Sequence, residues 1–205
     1  MTSHPYLLNR KFAVMHKWKL ALTEIAAIAL LITISVMGRL LWHPAQVAPV
    51  AAAALFAGFM LRSRWLALCV PLLSMAVSDA FIGVYNFQIM AAVYAGMCLP
   101  VLLSTLLKKD VSVPRLIGCS LAGSVGFYLV SNGAEWAYGS LYSYDAAGLQ
   151  RCYTAALPFF RNTLIGDLVW TSILFAAHGL IMNRLRISPP EIDTFDTPVR
   201  VKVRK

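Results

Sequence analysis

Long blocks of apolar residues, separated by short polar or basic breaks, recur along the whole chain. A helix that crosses the hydrocarbon core of a bilayer needs about 20 such residues, because each adds only about 1.5 Å of rise. Six blocks approach or reach that length and predict spans at 20–38, 45–61, 65–85, 88–107, 115–135 and 163–182. The breaks are sharpest where they are basic, at Arg62-Ser63-Arg64, Lys108-Lys109-Asp110 and Asn183-Arg184-Leu185-Arg186. Prolines 49, 71 and 100 fall inside blocks, which membrane helices tolerate when neighbours satisfy the freed carbonyls. The first block runs eighteen residues from Leu20 to Met37. That exceeds the roughly 7–15 residues of a cleavable signal core, so it reads as an uncleaved span. The expected fold is an all-α membrane protein with six transmembrane helices. Residues 1–19 form an N-terminal tail, 20–186 the membrane domain with a long loop at 136–161, and 187–205 a tail without apolar periodicity, read as disordered.

Composition agrees with the pattern. Of 205 residues, 59% are hydrophobic and 13% charged, whereas soluble domains carry about 25% charged residues. A water-soluble enzyme or a nucleic-acid binder is excluded, and six spans leave no room for a separate soluble domain. The formal charge of +9 would suggest an acidic partner in a soluble protein. Divided by side, it says something else: fifteen Lys and Arg fall on the side of the termini and three (Arg39, Arg151, Arg161) on the other. Cytoplasmic segments carry the excess of Lys and Arg, so both termini are expected in the cytoplasm and the primary partner is the lipid bilayer.

Polar residues inside spans are expensive in lipid and face a bundle interior or a cavity, so they carry the functional reading. Most gather at the end opposite the termini, the outer side on this topology. Candidate substrate-binding residues there are Asp79, Asn132, Glu135, Arg161, Asn162 and Asp167, with Arg39, Tyr85 and Trp136 beside them. The acids can also pair with Arg39 and Arg161 in a static layer. The 136–161 loop holds seven aromatic residues, and loops beyond about 12–15 residues in compact domains are usually functional or disordered. It reads as a lid over a small-molecule cavity, with Ala146 to Leu157 able to form a brief interfacial helix. Nearer the termini, Glu24 and His178 lie at similar depth and could form a coupling pair.

Four cysteines, at 69, 98, 119 and 152, lack metal-ligand spacing. Cys152 alone is placed in the outer loop, where it could meet a metal or a cobalt-centred ligand. No cofactor is expected otherwise. No Walker A loop, nucleophile elbow or HExxH motif occurs, so no ATPase and no evident enzyme activity resides in this chain. Small residues at four-residue spacing (Ala48/Ala52, Ala53/Ala57, Ala54/Gly58) let the second span approach another helix, either within the chain or in a partner subunit.

Three stretches carry a resemblance. They are Trp42-His43-Pro44 to Phe56, Pro71-Leu72-Leu73 to Asp79, and Gly148-Leu149 with Cys152-Tyr153 through Pro158-Phe159-Phe160-Arg161-Asn162 to Gly166-Asp167. Together they resemble an uncharacterised family of bacterial six-span membrane proteins known only as a domain of unknown function. That family is similar in size and topology to the substrate-binding S components of energy-coupling-factor vitamin transporters. The resemblance implies an S-component-like bundle in the bacterial cytoplasmic (inner) membrane that takes up a vitamin or its precursor through an outward-facing site. It also implies either solitary transport or a partner scaffold with ATPases. The first span lacks the Ala-x-x-x-Ala pattern expected for docking to such a scaffold. A structural scaffold protein and an intramembrane enzyme are the competing readings.

Overall fold

The computed structural model describes residues 5–42, 47–108 and 110–187, and among them helices account for all regular structure. The elements are α1 (Pro5–Trp42), α2 (Val50–Met60), α3 (Arg64–Ile82), α4 (Phe87–Leu103, prolonged by one 3-10 turn at Ser104–Leu106), α5 (Val113–Tyr138) and α6 (Ala146–Ile187). Five of them contain stretches long and apolar enough to cross a membrane: Ala21–Leu41, Arg64–Ile82, Phe87–Leu106, Val113–Tyr138 and Ala146–Arg184. Their outward faces carry large apolar side chains such as Leu22, Ile25, Leu73, Phe81 and Ile181. Water does not tolerate such a surface, whereas acyl chains match it, and the chain is a multi-pass membrane protein.

Three elements differ from the sequence reading. The expected second span, 45–61, is an eleven-residue helix; at about 16 Å it does not reach across a bilayer core by itself. Its start is set by Pro49 and its end by Leu61, whose extended backbone (φ −78°, ψ 145°) stops the helix. The expected N-terminal tail is helical from Pro5, continuous with the first span. The expected loop at 136–161 shrinks to residues 139–145, because α5 continues to Tyr138 and α6 begins at Ala146. There is thus no long aromatic lid; most of its aromatic residues stand on helices. Of the expected C-terminal tail, residues 188–205 lie outside the described residues.

α2 is the central post of the bundle. Nine of its eleven residues are buried, and it packs against α1, α3, α4, α5 and α6. Alanine side chains make this possible, since they let neighbouring backbones approach closely. Of the two expected uses of the small face, a partner subunit or the chain itself, the bundle takes the second. Around the post the order runs α1, α3, α4, α5, α6, and α1 and α6 share no extended interface. Residues 47–49, leading into α2, lie in the gap between them. A Cβ on Gly38 of α1 would strike the Pro49 ring, and one on Gly166 of α6 would stand 2.9 Å from a Val47 methyl. Trp170 Nε1 donates to the Val47 carbonyl at 3.1 Å and holds the segment from the α6 side.

Contacts between turns mark two ends. At one, Arg62 meets Glu24 at 4.0 Å and Lys108 Nζ donates to the Leu61 carbonyl at 3.1 Å. This is the basic end, with Arg64 and Arg115 also near it. At the opposite end Asn86 caps α4 by accepting from the Gln88 and Ile89 N–H groups, and its Nδ2 donates to the Tyr138 carbonyl at 3.2 Å.

Candidate functional site

The polar groups of the end opposite the basic one gather in two places. In the first, Arg39 near the end of α1 reaches Asp79 on α3, Nη2 to Oδ1, at 2.6 Å. Its Nη1 donates to the Met75 sulfur. The Tyr94 hydroxyl on α4 donates to the other oxygen, Oδ2, at 2.8 Å. Asp79 is 2% exposed, so its charge depends on these partners, as a buried carboxylate cannot stand alone. Tyr85, in the short α3–α4 turn, lies near enough to feel the pair. Partial burial raises its phenol pKa, Asp79 adds to the rise and Arg39 opposes it.

In the second place, Asp167 on α6 is 4% exposed and accepts the Ser124 hydroxyl of α5 on Oδ2 at 2.6 Å. Ser124 itself donates also toward the Ser120 carbonyl at 3.1 Å. Among the described residues, no base pairs with Asp167.

A cavity of about 180 Å³ joins the two places. Arg39 and Asp167 both stand on its wall, and the rest is mainly apolar, including Met75, Val93, Met97 and Phe127. A second cavity, of about 260 Å³, shares Val93, Phe127 and Thr163 with the first and adds Ser131, Asn132, Glu135, Phe159 and Phe160. It owes its existence to the way α5 and α6 meet. Cys152 donates to the Asn132 carbonyl at 3.4 Å, and Ser124 to Asp167. Between these contacts α5 advances eight residues and α6 fifteen, a surplus of about 10 Å of helix, so the two cannot run side by side. Pro158 lies in this stretch of α6, where its missing N–H and bulky ring weaken the preceding turn. Tyr128 bridges the join, stacked on Phe160 with centroids 4.4 Å apart, and space remains beside them.

Four of the candidate residues therefore line the two adjoining cavities: Arg39, Asn132, Glu135 and Asp167. Asp79 stands behind Arg39. Arg161 is exposed and Asn162 half-buried, and neither lines either of these two cavities. No described acid forms the expected ion pair with Arg161. Trp136 donates to the Ser143 carbonyl at 3.0 Å and packs on Tyr144, so it fastens the 139–145 turn. Cys152 is a buried residue of α6, not a loop thiol, and among the described residues no cluster of His, Cys, Asp or Glu could hold a metal. The expected pair of Glu24 and His178 is not formed. Glu24 faces Arg62, while His178 packs edge-on against Phe56 and Phe59, with centroids 5.6 and 5.7 Å away.

Sequence reasoning did not single out Tyr94, Ser124, Met75, Val93, Phe127 or Thr163. A tyrosine or serine within an apolar block is a weak signal, and the others have none; only the packing of α3, α4, α5 and α6 brings them together.

Comparison with known proteins adds a family. No curated protein and no solved structure matches the chain. A profile described as a family of unknown function, DUF6580, matches residues 19–190, from before the first span to beyond the last helix. The chain therefore belongs to the DUF6580 family.

Proposed function

We propose that this protein binds a small molecule in the two adjoining cavities and carries it inward across the membrane. On this reading it is an uptake protein of the bacterial inner membrane for a vitamin or a similar nutrient, acting alone or with a scaffold and ATPases supplied by other chains. It is a carrier and not a catalyst. The observation that carries the reading is the pair of adjoining cavities, largely apolar, with Arg39 and Asp167 on one wall and Asn132 and Glu135 on the next. Few polar groups in an apolar hollow is the composition of a small-molecule site. The reading is supported by the length of the chain, similar to that of transporter S components, and by polar groups gathered at one end of the bundle.

A static scaffold is the second reading, favoured by the Arg39–Asp79–Tyr94 cluster, whose charges pair with each other. Thermal-shift screening of the purified chain against a panel of vitamins and precursors separates the two. A ligand at a hundredfold excess over its Kd stabilises by about 2.7 kcal/mol, and Val93→Phe, which fills the wall common to both cavities, should abolish the shift. A panel without one stabilising compound supports the scaffold.

A further inference from the structure

We propose that the first cavity takes a small organic cation, with Asp167 as its counter-charge. The inference rests on the binding reading above and adds the chemical class of the ligand. It begins from an imbalance of charge. Asp167 is 4% exposed and lines the cavity, yet only Oδ2 has a partner, the neutral Ser124 hydroxyl. Oδ1 has none among the described residues. A buried carboxylate in this state lacks what it had in water, so it either takes up a proton or meets a cation.

Among the described residues, no base is left over for Asp167. Arg39 shares the cavity wall, but its guanidinium is engaged by Asp79 and by the Met75 sulfur, and the Arg39–Asp79 pair sums to zero. Arg161, the next base along α6, is exposed and lines neither cavity. The adjoining cavity holds a second carboxylate, Glu135, which has no ion pair among the described residues. Among the described residues, an anionic ligand would face two acids and, with Arg39 paired to Asp79, no unpaired base. The remaining wall suits an organic cation: Met97 brings a polarisable sulfur and Phe127 an aromatic ring, a residue type that receives a desolvated ammonium. A hydrated inorganic ion would find few oxygen ligands there, since calcium and magnesium each require about six or more.

Three probes of one shape and different charge test the class: benzylamine, benzyl alcohol and benzoate, each added to the full chain purified in detergent. Benzylamine is expected to raise the melting midpoint saturably, by about 5–10 °C at a hundredfold excess over its Kd, with the alcohol and benzoate without effect. Asp167→Asn, which keeps the shape and the Ser124 contact, should abolish the benzylamine shift. The order among the probes in the unaltered chain stands even if that variant does not fold. A shift with benzoate or benzyl alcohol in place of benzylamine overturns the cation class and leaves small-molecule binding intact. No shift with any of the three overturns it too, Asp167 then being neutralised by protonation. If the vitamin panel also gives no shift, the binding reading falls with it.

Discussion

Asp79 is fixed from two sides, by the Arg39 guanidinium of α1 and the Tyr94 hydroxyl of α4. Removing one member of such a buried pair leaves the other charged and alone, which costs far more than the pair itself contributes. Asp79→Ala is therefore expected to destabilise the protein by about 3–5 kcal/mol, read by denaturant titration in detergent. Exchanging both partners, Asp79→Leu with Arg39→Met, should recover most of the loss. Equal loss in the single and double variants would contradict the pairing. An ionisable residue inside an apolar block declares itself in the sequence, and Arg39, Asp79 and Asp167 were all legible in that way. The Arg39–Asp79 pairing was among those expected; the hydroxyl partners were not, since Tyr94 lies fifteen residues beyond Asp79 and Ser124 forty-three before Asp167. Only the order of helices around α2 brings each pair together.

Helices α3, α4 and α5 follow the hydropathy blocks to within a few residues, because length and apolar content decide such elements. The difference is largest at 136–161, where the helix expected from Ala146 starts in place but runs on to Ile187. Gly148 and Pro158 look like loop residues, yet both stand within α6. Asp145 makes the difference at its start: Oδ1 accepts the Gly148 N–H at 2.6 Å and the Ser143 hydroxyl at 2.9 Å, capping the first turn. The Gly148 amide, and after it Ser143, hold the Asp145 carboxyl below its usual range. A lowered folded-state pKa gives stability that is present above the unfolded value and lost as pH falls through the folded one. The advantage of the native chain over Asp145→Ala should thus be full at neutral pH and shrink below about pH 4, as followed by melting midpoints. An advantage unchanged down to strongly acid pH would assign it to something other than the carboxylate. α2 misled for a different reason. Its block is as apolar as a span, but what makes the residues apolar is burial among five helices and not contact with lipid.

In the whole molecule, burial and charge divide the bundle. The basic breaks Arg62-Ser63-Arg64 and Lys108 to Arg115 meet at one end, while Arg39, Asp79, Asp167 and Glu135 turn inward toward the other. A short central helix leaves room that a full-length span would have filled. The first cavity lies beside its start, where Val50 and Ala51 line the wall. The second follows from the surplus length of α6 over α5. The class of protein and the end that carries the polar groups were readable from hydropathy and charge. The cavities were not, because they depend on helices failing to run parallel. Native mass spectrometry of the protein taken from its own membrane tests the binding site most directly. The unaltered chain should carry a small molecule that denaturation releases, and a folded Val93→Phe variant should not; an unaltered chain that appears at its bare polypeptide mass, as the variant does at its own, would contradict a binding site in these cavities.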